Sequence, residues 1–368
     1  MFRTLMRGLS AAIAAATFAM PVWANNIPVT DTLGREVMIP HAPERILLGF
    51  YFEDFYAVGG PDAYDRVVAI SKDTWFGWRN LQWKAYAAVT PRLETLADVG
   101  EIDSGTFSLE AAIAANPDVA VLAAWQYNAL GADADRLEAA GIPIVVLDYN
   151  AQTVEKHVTS TLALGVILGA KDRAQQLADE YASAIADIDV RIVNVPQNER
   201  PKVYVELGRK GAAEVDNSYA GTMWGAVVNQ VGGQNIADGQ ISKWGPLNPE
   251  YVLAQNPQAI FLAGSGWVGR DAAVLMGPGI DTKLTHDRME PYLGRAGWNG
   301  LDAVKNGNVY AIYHGGSRTL YDYTFQQFIA KALYPDLFKD VNPQANLDRF
   351  FKTYLPVPFT GTYMTRLK

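Results

Sequence analysis

The chain has 368 residues, a formal net charge of −8 and no cysteine. That length suggests about two domains. The acidic balance argues against a nucleic-acid partner, which calls for a basic surface. The missing thiols exclude disulfides, thiolate metal sites, a cysteine nucleophile and a cysteine-linked lipid anchor.

The first element is an export signal. Met1–Ser10 carries Arg3 and Arg7 and no acidic residue, and Ala11–Val22 is a short apolar run. Val22-Trp23-Ala24 then offers a signal peptidase its small residues. The spacing predicts a secretory signal over residues 1–24, cut after Ala24, because the apolar run is too short to span a bilayer. An exported, unanchored chain fits a periplasm, with a secreted protein as the weaker alternative.

Continuous apolar runs follow at Arg45–Phe50, Arg66–Ile70, Asp118–Ala123 and Pro143–Asp148. A second set lies at Lys202–Leu207, Gln258–Ala263 and Asn308–Tyr313. Runs that do not alternate with polar residues predict strands covered on both faces, as in a parallel sheet flanked by helices. Helical stretches such as Leu109–Ala115 and Asp133–Ala140 separate them, which predicts α/β units in each half. Between the halves, Val154, Val158 and Leu162, then Leu177, Tyr181, Ile185 and Ile188, repeat at helical spacing. Gly165 and Gly169 leave room for a break between two helices. The expected domains are a first lobe over 25–152, a stiff helical connector over 153–195 and a second lobe over 196–368.

The halves echo each other. Ser108-Leu-Glu110, Asn116-Pro-Asp118 and Leu122-Ala123 correspond to Asn248-Pro-Glu250, Asn256-Pro-Gln258 and Leu262-Ala263 at a constant offset. Each copy reads as a capped helix, an Asn-Pro stop and a buried strand. Each Glu lies in a first helical turn, where the dipole favours an acid, so capping alone is one account of both.

These motifs, with Val29–Val37, Pro43–Leu47, Gly232–Asn235, Trp298 and Ala303–Tyr310, resemble the helical-backbone solute-binding proteins of ABC importers for iron–siderophore complexes, haem and vitamin B12. The resemblance runs across nearly the whole mature chain in the family order. It implies two Rossmann-like α/β lobes with parallel-type sheets joined by a long rigid helix. It also implies that Glu110 and Glu250, one per lobe, dock on arginines of a membrane permease. Exposed pairs of that kind set orientation and on-rate more than affinity.

In open α/β sheets ligands bind beyond the carboxyl ends of the strands. That rule selects Tyr51 after the first strand, then Trp75, Trp78 and Arg79 after the second. It selects Trp125 and Tyr127 after the third and Tyr149 after the fourth. In the second lobe it selects Arg209, Trp267, Tyr313, Arg318 and Tyr321, with Tyr219 and Trp244 on glycine-rich loops nearby. Aromatics with a few arginines suit a half-apolar cleft that grips carboxylates, although aromatics at such positions also serve core packing. Direct metal ligation by Tyr313, Tyr321, Tyr323 or His314 is the weaker reading, because His41, His157, His286 and His314 have no ligand spacing.

Rival readings are an enzyme and a zinc- or manganese-type receptor. Gly264-Ser-Gly-Trp-Val-Gly269 has the form of a dinucleotide fingerprint, but no confident helix follows it. The metal receptor would want histidines and carboxylates where this chain has aromatics and arginines. The expectation is thus a monomeric periplasmic receptor without catalysis or resident cofactor. It would take a small-molecule iron chelate, such as a ferric siderophore, to an ABC importer permease. Haem, cobalamin and a metal ion are the alternative ligands.

Overall fold

The structure is a computed structural model that describes residues 26–368; the expected signal over 1–24 lies outside the described residues. The chain opens with an antiparallel hairpin of Ile27–Thr30 and Glu36–Ile39. Asp31 closes its turn by accepting from the Leu33 and Arg35 amides at 2.9 and 3.1 Å, the local bond that makes Asp a turn former.

Two five-stranded sheets follow. The first runs Ala97–Asp98, Val67–Ile70, Ile46–Leu48, Val119–Ala123, Ile144–Leu147, all parallel. The second runs Gln234–Asn235, Lys202–Leu207, Ala259–Gly264, Val309–Tyr313, Met364–Arg366, with only the last strand antiparallel. Strands Ile46–Leu48, Val119–Ala123, Ile144–Leu147, Ala259–Gly264 and Val309–Tyr313 are buried at every residue. The continuous apolar runs therefore meant what a two-sided parallel strand means.

The connector is a pair of helices, Val154–Leu168 and Lys171–Ile192, broken at Gly169, which takes φ +67. The first packs on the first lobe. The second is about 33 Å long at the α-helical rise and buries Leu177, Tyr181, Ile185 and Ile188. It touches both lobes: Arg173 donates to Ala57 O at 2.6 Å on one side and to Tyr354 O at 3.4 Å on the other.

The internal echo extends to hydrogen bonds. Asp118 N donates to Arg45 O at 2.7 Å, and Gln258 N donates to Lys202 O at 2.8 Å. The Asp118 and Gln258 side chains accept from the amides of Arg45 and Lys202 at the same two places. Asn116 and Asn256 sit at φ +47 and +46, the left-handed region that asparagine tolerates. Each thus ends its helix before the proline. Ser108 and Asn248 cap the helix starts by accepting backbone amides, leaving Glu110 and Glu250 exposed beside them. A helix between parallel strands runs back along the sheet, so both glutamates lie at the strands' carboxyl ends.

The short antiparallel pair Asn217–Tyr219 with Trp244–Pro246 and the edge strand Met364–Arg366 had no sequence signal. Three-residue pairings fall below the length at which alternation can be read. Gly264–Gly269 leads into a loop, and the next α-helix begins only at Thr282. The helix N-terminus that a dinucleotide fingerprint requires is missing there.

Candidate ligand-binding cleft

Phe50, at the end of the first strand and itself buried, is the hub of the candidate site. Its ring lies 5.4 Å from Trp125, 6.4 Å from Trp78 and 5.0 Å from Tyr51, all edge-on. Trp78 and Trp125 stack on each other at 6.1 Å and are half-buried. Tyr51 is held at φ +59, a strained geometry for a residue with a Cβ. It turns its hydroxyl to Asn150 Oδ1 at 2.9 Å.

Two arginines approach the same ring. Arg79 reaches it from the first lobe at 5.2 Å and Arg318 from the second at 5.3 Å. Arg79 is placed by a single π-helical turn, Asp73–Gly77, and the start of the helix Asn80–Val89. Arg318 ends the loop after Val309–Tyr313, where Gly315 and Gly316 allow close approach: a Cβ on either would meet the Tyr313 or Phe325 ring at 2.5 or 2.3 Å. Arg79 Nη2 and Arg318 Nε are buried without a partner. Among the described residues neither arginine has a carboxylate within ion-pair distance. Burial first, and then the Arg79 charge, pull the Arg318 guanidinium down to about 9, so it stays charged at neutral pH.

The rest of the wall comes from the second lobe. Tyr219 stacks on His314 at 5.9 Å. Arg209 makes a loose 3.4 Å contact to Asp216. Burial, followed by the charges of Arg318, Arg79 and Arg209, pushes His314 well below its ordinary value. Three cations therefore act on one imidazole. The lobes meet beside them, since a Cβ on Gly266 would lie 3.0 Å from Leu81 Cβ.

A network fixes the Arg318 loop to the first lobe and the connector. Glu53 accepts from Tyr86 at 2.7 Å and from Tyr321 at 2.5 Å. Asp54 accepts from the Leu320 amide at 2.6 Å. His157 meets Asp322 at 2.9 Å, and Gln152 donates to Ser317 O. Burial raises both Glu53 and Asp54, against the hydrogen bonds they accept.

Of the residues selected from sequence, the structure gathers Tyr51, Trp78, Arg79, Trp125, Arg209, Tyr219 and Arg318 around this site, while Tyr313 is fully buried against Tyr363 at 5.2 Å. It corrects the placement of others. Trp75 is fully buried and stacks on Phe52 at 4.5 Å, beneath the cleft rather than on it. Tyr149 and Tyr321 are interior, bonded to Thr161 and Glu53. Tyr127 turns away to Arg35, which donates to its hydroxyl at 3.0 Å. Trp244 is 56% exposed on the strand that pairs with Tyr219, and Trp267 is half-buried on the loop that meets Leu81. The strand-end rule that chose Tyr51 reaches Phe50 and Glu53 without selecting them, and His314 entered the sequence reading only as a weak metal-ligand candidate.

A half-buried arginine with a partner shows what an internal structural site looks like here. Arg295 forks onto Glu206 at 2.6 and 2.8 Å beside a cavity of about 180 Å³ in the second lobe. Among the described residues neither Arg79 nor Arg318 has a carboxylate in direct contact, although the Arg79 charge acts on buried Glu53 and Asp54.

Comparison with known proteins agrees with this architecture. A TroA-like periplasmic binding protein, FepB of Veillonella parvula, superposes with a TM-score of 0.87 at 31% identity, covering 93% of this chain and 100% of that one. The ABC transporter substrate-binding lipoprotein YvrC of Bacillus subtilis is 23% identical over 322 residues, 85% of this chain and 87% of its own. The molybdate-binding protein MolA of Haemophilus influenzae is 22% identical over 352 residues, 89% and 90% of the two chains. Residues 47–314 match the family described as periplasmic binding protein. The chain therefore belongs to the periplasmic binding protein family, which supplies ABC transporters with substrate and is not a family of enzymes.

Proposed function

We propose that this protein captures an anionic ligand between its lobes, a ferric siderophore complex bearing carboxylates, and delivers it to the permease of an ABC importer. The observation that carries this reading is the pair Arg79, buried, and Arg318, half-buried, both against Phe50 and each with a buried nitrogen that has no partner among the described residues. A buried charge without a partner is costly, and a bound anion removes that cost. Arginine's planar fork suits carboxylates, and the Trp78–Trp125 stack offers an apolar face to the rest of such a chelate. Neutral cobalamin would leave both charges unanswered. Export by the signal over residues 1–24 brings the receptor to the periplasm. Glu110 and Glu250 then dock it on the permease.

A second reading is a compact oxyanion such as molybdate. The close approach of Gly266 to Leu81 favours it, because lobes that meet beside the arginines suit a small ligand. The likeness to MolA points the same way. Fluorescence titration with ferric citrate, ferric hydroxamate and catecholate chelates, haemin, cobalamin and molybdate separates the readings. Saturable quenching by a ferric carboxylate chelate supports the first. Response to molybdate alone replaces it with the second, and response to cobalamin alone overturns both.

A further inference from the structure

We propose that His314 is a permanently neutral hydrogen-bond donor to the captured anion, its proton fixed on Nε2 by the indole of Trp224. The inference rests on the anion reading above and adds a specificity residue to it.

The argument starts from donor chemistry. An indole N–H can only donate. Trp224 Nε1 lies 3.3 Å from His314 Nδ1, so that nitrogen must present its lone pair. A neutral imidazole carries one proton, and it is therefore on Nε2. Trp224 is fully buried in the helix Met223–Gln230 and packs edge-on against Phe325 at 5.7 Å. The donor cannot swing away without opening the core. Tyr219, 5.9 Å away in a stacked geometry, covers one face of the imidazole.

The surroundings also oppose a second proton. Arg318 on the same loop, Arg79 at the start of the helix Asn80–Val89 and Arg209 beyond Lys202–Leu207 all act on the ring, and burial adds to them. The acid nearest in sequence on the helix that follows, Asp322, is engaged by His157 at 2.9 Å and by Gln326 at 3.1 Å. Asp216 contacts Arg209. Tyr219 and Tyr313 keep their protons, their phenols pushed upward by burial.

Nε2–H has no partner among the described residues, while His314 is half-buried beside the arginines. It is positioned as a third donor to an anion held by Arg79 and Arg318. The same tautomer denies Nε2 to a metal ion, because its lone pair is replaced by a proton. A ligand bound here is thus met by an N–H donor and two guanidinium forks, without imidazole coordination. Fixing the protonation state also removes the titration that histidine ordinarily brings to neutral pH.

The test uses the mature protein with molybdate and ferric citrate as probes between pH 6 and 8. Wild-type affinity for the probe that binds is expected to change by less than about threefold over that range, where a titrating histidine would change it more. His314→Gln, which keeps an N–H donor, should retain most of the affinity, and His314→Ala should lose about tenfold. Trp224→Phe frees Nδ1 to carry the proton instead, so part of the affinity should be lost while its pH dependence stays flat, because burial and the arginines still oppose a second proton. Imidazole ¹⁵N spectra of the wild type give a readout without any variant: a pyridine-type Nδ1 and a pyrrole-type Nε2 are expected. A protonated or Nδ1–H imidazole, or wild-type affinity that follows a histidine titration, would overturn the proposal. If neither probe binds, the anion reading itself fails, and the ¹⁵N spectrum still decides the tautomer.

Discussion

Arg79 and Arg318 reach one ring, Phe50, from opposite lobes, at 5.2 and 5.3 Å, and neither has a carboxylate partner among the described residues. Each arginine thus costs stability in the empty protein and repays it on binding. Arg318→Gln is expected to raise the unliganded stability by about 1–3 kcal/mol, because it removes a half-buried charge that has no ion-pair partner among the described residues. The same substitution should weaken anion binding by about 2–5 kcal/mol. Denaturant unfolding and calorimetric titration of the one variant check both signs. Loss of stability together with loss of binding would assign the arginine a structural role instead.

Aromatics beneath the cleft and on it should separate cleanly. Trp75 is fully buried against Phe52, Trp83 and Tyr86, so Trp75→Ala should cost about 3–5 kcal/mol of folding stability. Trp125→Ala, at a half-buried position facing Phe50 at 5.4 Å, should cost less stability and more affinity. Thermal melts with and without a binding chelate distinguish the two patterns.

The pH dependence of stability carries a definite sign at His314. Burial and the neighbouring arginines hold its folded value well below the ordinary 6.5. Below about 6.5 the unfolded chain takes up a proton that the folded one refuses, so stability is lost as pH falls through that value. Glu53 acts oppositely. Its folded value is raised above 4.5, chiefly by burial, so its contribution declines as pH rises from that point. The stability gap between His314→Gln and wild type should therefore move in favour of the variant as pH falls from 7 to 5. A gap independent of pH would show that His314 titrates normally.

Glu110 and Glu250 are exposed at two capped helix starts, one per lobe. Reversing either charge to Lys should leave ligand affinity within about twofold, because neither residue lies in the cleft, while coupling to the permease falls and loses its salt dependence. ATPase stimulation of the reconstituted importer reads this directly. Unchanged stimulation in the double variant would leave the glutamates as caps alone.

Much of this was readable from residues because the local rules agreed with the fold. The runs at Val119–Ala123 and Ala259–Gly264 are buried on both faces, and the paired Asn116 and Asn256 end their helices by taking positive φ. The strand-end rule found Arg79, Arg318 and most of the ring system. It could not tell which way a side chain turns after a strand: Trp75 and Tyr321 went into the core, and Tyr127 turned to Arg35. The π-helical turn at Asp73–Gly77 decides that division between Trp75 and Arg79, and a five-residue sequence carries no signal for it. Glu53 was equally hidden, since a buried carboxylate between Tyr86 and Tyr321 depends on contacts far apart in the chain.

The most direct test of the central claim is calorimetric titration of the mature wild type and the Arg79→Gln/Arg318→Gln double variant with ferric citrate, molybdate and cobalamin at fixed ionic strength. The account predicts saturable binding of an anionic ligand to the wild type, loss of it in the double variant, and no binding of cobalamin to either. Binding of cobalamin, or anion affinity that survives removal of both arginines, would contradict it.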